Sequence, residues 1–187
     1  MIRELLQKNR SYRRFNQDFR IDRDTLSELV GLTRLCPSGG NRQSLKYIIE
    51  TDAGQCEKIF ETLAWAAFLS NWKGPANGER PSAYIVILED SMLGPANLMD
   101  VGIAAQTMLL GAVSKGLGGC MLGSIKKKEL AEVLSLSERY DIKLVIALGK
   151  PGETVVLEDA EGDDIRYWRD ENGVHHVPKR KLSDILL

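Results

Sequence analysis

Histidine is nearly missing from this chain. Only His175 and His176 occur among 187 residues. They are adjacent, so on a strand they point to opposite faces and cannot jointly chelate one metal. A hydrolytic triad has no other base to draw on. Cysteine is scarce too. Cys36, Cys56 and Cys120 are odd in number and widely spaced. No pair has the spacing of a zinc site, and a disulfide framework is excluded, which leaves idle or buried thiols in a reducing cytosol. Charge of one sign is also lacking: 25 basic against 26 acidic residues give a net charge of −1. A general nucleic-acid binder would carry a basic excess. No apolar run is long enough to span a bilayer, because the stretch Val101–Val113 is broken by Gln106 and closed by Lys115. No signal-peptide pattern follows Met1. These absences point to a cytoplasmic protein without a membrane span. The length suits one domain covering residues 1–187, able to bury roughly two-thirds of its unfolded surface without staples.

The charges that are present are unevenly placed. Residues 1–20 hold six basic residues (Arg3, Lys8, Arg10, Arg13, Arg14 and Arg20) against Glu4 and Asp18. Residues 151–177 hold eight carboxylates against Arg166 and Arg169, and Lys179-Arg180-Lys181 follows. Two basic clusters near opposite termini read either as solvated surface or as one anion site, since domain termini often lie close together. The acidic stretch 158–164 reads as a solvated loop.

Periodicity gives mixed helix and strand. Residues 2–8, 24–35, 54–69, 97–115 and 124–134 have helical spacing, with a capping box at Thr25-x-x-Glu28 and Ser124 as a cap. The helix at 97–115 is apolar nearly all round, as a core or subunit-interface helix would be. Residues 47–50, 83–89, 116–122 and 143–148 read as strands, and 165–177 as a hairpin turning at Asn172-Gly173. Regular βαβ spacing is absent, so the fold class is α+β. Gly116-x-Gly118-Gly119 fails the dinucleotide fingerprint at Met121, and no Walker loop or nucleophile elbow occurs. With few catalytic side chains on offer, a cofactor is the natural source of chemistry.

Four segments remain: Asn9-Arg10-Ser11-Tyr12-Arg13-Arg14-Phe15, Cys36-Pro37-Ser38-Gly39-Gly40-Asn41-Arg42-Gln43, Asp100–Gln106 leading into Gly116–Cys120, and Pro178-Lys179-Arg180-Lys181-Leu182. In this order and at these separations they resemble the nitroreductase family of FMN-dependent oxidoreductases. The resemblance spans almost the whole chain. It implies a mainly antiparallel central sheet flanked by helices, a homodimer with FMN at the subunit interface, and a C-terminus extending over the partner subunit.

The resemblance also assigns residues. Arg10, Ser11 and Arg13, with Arg180 or secondarily Lys179, would hold the FMN phosphate, for which bidentate guanidinium groups are suited. Pro37, Ser38, Gly39, Asn41 and Gln43 would form a loop whose amides meet the flavin's pyrimidine edge. The large residue usual after that loop is replaced by Ser44-Leu45. Gly118 and Gly119 would lay backbone beside the ring, with Cys120 and Leu117 as packing residues and Met121 in the core. Trp65, Trp72 and Lys73 would form either a rim over the pocket or, for Trp65, core.

NADH or NADPH would reduce the flavin, and a small-molecule electron acceptor, a nitroaromatic or a quinone, would follow into the same space in ping-pong order. Lys73, Arg42 or Arg80 would offer a cation for a 2′-phosphate. The same scaffold also supports dehalogenation, heterocycle dehydrogenation and flavin fragmentation. A non-turnover flavin-binding dimer is a further alternative.

Overall fold

The computed structural model describes every residue from Met1 to Leu187. In chain order the elements are α1 (Ile2–Lys8), β1 (Phe15–Asn16), α2 (Arg23–Leu32), β2 (Leu45–Glu50), α3 (Ala53–Glu61) and β3 (Ala83–Asp90). Then come α4 (Leu98–Ser114), β4 (Gly118–Leu122), α5 (Lys127–Val133), β5 (Tyr140–Pro151), β6 (Val155–Asp159), β7 (Trp168–Arg169), β8 (His175–Lys179) and α6 (Leu182–Ile185). The sequence-level strands and helices recur here with shifted ends, and β1, β6 and α6 are additions.

The main sheet is antiparallel throughout. β5 is its axis: β3 lies along one edge, and the other edge is shared by β4 and then β1, while β2 flanks β3. Alternation sorts the side chains into two layers. Ile85, Ile87, Ile146 and Leu148 meet Leu26 and Leu29 of α2 and Ala105 and Met108 of α4. Tyr84, Val86, Val145 and Ala147 meet Cys56 and Ile59 of α3, Leu130 of α5 and Trp65. Each fully buried aliphatic side chain contributes about 1.5–3 kcal/mol of transfer free energy. Helices therefore cover both faces of the sheet, as the α+β reading requires. No helix is long and apolar enough to cross a membrane.

Three local expectations need correction. The helical spacing at 54–69 ends at Glu61, because the chain is captured by backbone pairing. Leu63 bridges Ile125, the Ala64 amide donates to the Ser124 carbonyl at 3.0 Å, and Ala66 adopts φ 43°. α2 is capped by Asp22, whose carboxylate accepts from the Thr25 amide, while Glu28 pairs with Lys115. The Ser124 cap is absent too: α5 begins at Lys127 without a side-chain cap.

A second, smaller sheet is built from the chain after β5. β6 runs parallel to β8, and β7 pairs antiparallel with β8. The expected turn at Asn172-Gly173 is there, with Gly173 at φ 78°. The acidic stretch is partly ordered, as β6 reaches Asp159 and Glu161 bridges Asp164.

Candidate functional site

The first group of predicted residues lies against the outer edge of β4. Ser11 forms a parallel bridge with Gly119, and the Tyr12 amide donates to the Gly119 carbonyl at 3.1 Å. The Arg10 guanidinium donates to the Leu6 carbonyl, its Nε is buried without a partner, and burial holds its pKa below the usual guanidinium value. Arg10 thus has spare donors in a partly dry place, where an anion is bound most strongly.

Arg13 and Arg14 are fixed from behind by a residue that composition did not single out. The Glu153 carboxylate accepts the backbone N–H of both Arg13 and Arg14, and pairs with Arg169 Nη2 at 2.7 Å. The Glu153 side chain is 2% exposed and that of Arg169 11%, so this is a buried ion pair. The Arg169 guanidinium lies 4.3 Å from the Trp72 ring centre.

The Cα positions of the two glycines of β4 are enclosed by protein. A Cβ on Gly119 would meet the Ala147 carbonyl oxygen at 2.3 Å, and one on Gly118 would meet the Tyr12 ring at 2.5 Å. Glycine is required here so that the N-terminal segment and β5 can close on β4 from both sides. The open surface lies at the other end of the strand. There Met121–Ser124, Trp65–Ala67, Arg13 and Tyr167 line a cavity of about 220 Å³. Met121 is exposed rather than part of the core, and a Cβ on Gly123 would meet nothing within 4 Å. Trp65 is buried as a side chain and also walls this cavity, with its Nε1 unpartnered.

The second group sits at the N-terminal end of α4. The Asp100 carboxylate accepts from Ser38 Oγ at 2.8 Å and from the Gly39 amide at 3.1 Å; Ser38 Oγ in turn accepts from the Gln43 amide at 3.1 Å. Gly40, Asn41 and Gln43 all have positive φ. Such backbone is costly for non-glycine residues, and here the Asp100 network over-determines it. Pro37, Ser38, Asn41, Gln43, Tyr47 and Asp100 contribute to a second cavity of about 210 Å³. The loop is preformed, with the Asn41 and Gln43 side chains exposed and bonded to each other at 3.0 Å.

The two groups do not meet within one chain. The loop is tied to Asp100, whereas β4 packs on Leu109 of the same helix. Nine residues of helix separate those anchors by about 14 Å. The third group is engaged by the acidic stretch. Arg180 Nη1 pairs with Asp163 at 2.7 Å, and the Lys179 carbonyl accepts from the Ala160 amide. The acidic stretch is thus the present partner of the C-terminal basic cluster. Of the cations considered for a 2′-phosphate, Arg80 is engaged by Glu57 and lies 4.1 Å from the Phe60 ring centre.

Residues 6–150 match the family model described as "Nitroreductase family". The chain is 23% identical over 177 residues to a Bacillus subtilis (strain 168) protein named "Putative NAD(P)H nitroreductase YodC", covering 79% of this chain and 88% of that one. Among solved structures, the nitroreductase family protein from Streptococcus pneumoniae TIGR4 superposes with a TM-score of 0.70 at 14% identity, over 100% of this chain and 99% of the other. A nitroreductase in complex with FMN from Exiguobacterium sibiricum 255-15, termed putative, gives a TM-score of 0.67 at 17% identity, over 82% of this chain and 89% of the other. These likenesses show the fold.

Proposed function

The chain belongs to the nitroreductase family, and from that premise we propose that it is an FMN-dependent oxidoreductase. In this reading it draws electrons from NADH or NADPH and delivers them to small electron-poor acceptors, nitroaromatics or quinones. It works as a homodimer.

One observation supports the reading: the Pro37–Gln43 loop at the N-terminal end of α4 and the segment around β4 line two separate cavities of the chain, which we read as two half-sites. The half at β4 offers Arg10 and Ser11 for a phosphate and, for a flat ring, a cavity bounded by Arg13 and Met121–Ser124. The orphaned Arg10 Nε and the open space at Gly123 fit such a group. The half at Asp100 offers the Asn41 and Gln43 amides. A second copy turned about a two-fold axis would bring one chain's loop to the other's cavity. The surface for that contact is present, since Leu98, Met99 and Ile103 leave an apolar face of α4 exposed, and Leu182, Ile185 and Leu186 end the chain with another. Apolar patches of this kind mark interfaces.

FMN, when bound, supplies two-electron redox chemistry between a nicotinamide donor and an electron-poor acceptor. The protein's own part is to bind and orient. Arg10 and Ser11 would anchor the phosphate, with Arg180 or Lys179 joining once Arg180 leaves Asp163. That exchange costs little, because the Asp163 side chain is almost wholly exposed and such pairs are weak. Arg13 places a fixed positive charge on the cavity wall, which favours anionic over neutral forms of a bound ring. Donor and acceptor would share one cavity in turn, which is the ping-pong arrangement.

The test is an absorbance spectrum of the purified protein with quantitation of released FMN, then NAD(P)H oxidation with menadione added. One FMN per chain in a particle of twice the chain mass, with acceptor-dependent turnover, is expected. A monomer that takes up no added FMN overturns the reading.

A further inference from the structure

The second sheet delivers one aromatic side chain to the cavity at the end of β4. Tyr167 precedes β7 and lines that cavity opposite Met121–Ser124. Its ring is held on three sides. The Phe68 ring lies 5.0 Å away at 54°, the His175 ring 5.3 Å away at 49°, and the Arg13 guanidinium 5.1 Å from the ring centre. The Phe68 amide donates to the Tyr167 hydroxyl at 3.3 Å, which ties the 64–69 turn to the second sheet. The same cavity is walled by Trp65, whose indole N–H is buried and has no partner.

We propose that Tyr167 contacts the electron acceptor and sets its specificity, favouring flat, electron-poor rings over non-aromatic acceptors. This rests on the FMN reading above. An electron-rich phenol face attracts an electron-poor ring by quadrupole complementarity and dispersion, and a tyrosine with both torsions already fixed loses little entropy on binding one. Phe68 and His175 touch the ring from outside the cavity and hold it upright. They are positioning residues.

The experiment uses the FMN-loaded protein and the variants Tyr167→Phe, Tyr167→Leu and Tyr167→Ala. The first readout is menadione binding to the oxidised protein without reductant, followed by flavin absorbance. The second is kcat/KM for menadione against ferricyanide, and the third is the Kd for FMN. The expected result is that the leucine and alanine variants bind menadione about threefold to tenfold more weakly. They lose correspondingly more kcat/KM for menadione than for ferricyanide, and the phenylalanine variant restores the ratio. Equal losses for the two acceptors, or unchanged menadione binding, overturn the proposal. Loss of FMN from both the leucine and the alanine variants also overturns it, since Tyr167 is then a cofactor or folding residue. A wild-type protein that takes up no FMN fails at the earlier step and removes the function reading along with the proposal.

Discussion

The buried carboxylate of Glu153 accepts the backbone N–H of Arg14 at 3.0 Å across 139 residues of chain, and the neighbouring N–H of Arg13 as well. One side chain thereby fastens the N-terminal basic segment to the start of the second sheet. The same carboxylate neutralises Arg169. Removing one member of a buried pair strands the other, which costs about 3–5 kcal/mol. Glu153→Ala should therefore lose about that much stability in urea unfolding. It should also weaken FMN binding more than stability alone explains, because Arg13 loses its register. Glu153→Ala with Arg169→Met should recover part of the stability and little of the FMN affinity. Full recovery of both would reduce Glu153 to a plain structural ion pair.

Asp100 does for the loop what Glu153 does for the N-terminal segment. Its carboxylate holds Ser38 and Gly39 and thereby the strained backbone through Gln43. Charge-assisted hydrogen bonds contribute about 1.5–3 kcal/mol. Asp100→Ala should raise the Kd for FMN by about tenfold to a hundredfold with the fold retained, read by fluorescence titration and circular dichroism. An unchanged Kd would mean that the loop is held by its own backbone or does not touch the cofactor.

How much of this was legible beforehand follows from the range over which each signal acts. β3 and α4 announce themselves because burial imposes a local period on their residues. The Pro37–Gln43 loop is visible because only small and amide side chains tolerate its backbone. By contrast α3 stops at Glu61 in spite of an apolar rhythm that runs on to Phe68, because pairing with residues some 60 positions away wins. β1 is two residues long and exists only through Lys150 and Pro151. Glu153 and Tyr167 read as an ordinary acidic and an ordinary aromatic residue until the fold brings their partners to them, and Asp100, although inside one of the four segments, shows its hold on Ser38 and Gly39 only in the fold. The glycines of β4 have a second reason that only the fold shows: Tyr12, Ala147 and Leu148 occupy the space a side chain would need.

The three thiols should differ sharply in reactivity. Burial pushes Cys56 and Cys120 up to about 12, so at pH 8 only about one in ten thousand is ionised. Cys36 is half-buried beside the loop cavity, with Thr107 Oγ1 at 3.1 Å. A thiol reagent should titrate one cysteine per native chain and three in urea, and Cys36→Ser should abolish the native reaction. Fast modification of a second thiol would mean that the helices over Cys56 or the strand at Cys120 open readily.

Acid should loosen the second sheet through His175. This imidazole is fully buried, with neither nitrogen partnered, between Tyr167 and the Glu153–Arg169 pair. Desolvation lowers its pKa from 6.5 to about 4, with Arg13, Arg169 and His176 adding to the shift and Glu153 opposing it. The sign follows from which state binds the proton first. Between about 6.5 and 4 the unfolded chain protonates while the folded one stays neutral, so stability is complete above that window and falls as pH drops through it. The loss attributable to this residue is at most about 3.5 kcal/mol. His175→Phe removes the titrating group and keeps a buried ring against Tyr167. In urea unfolding between pH 7.5 and 4, the wild type should lose stability more steeply than the variant, with the difference confined to that window. Parallel curves would show that water reaches His175 in the folded protein and that the second sheet is looser than its packing implies.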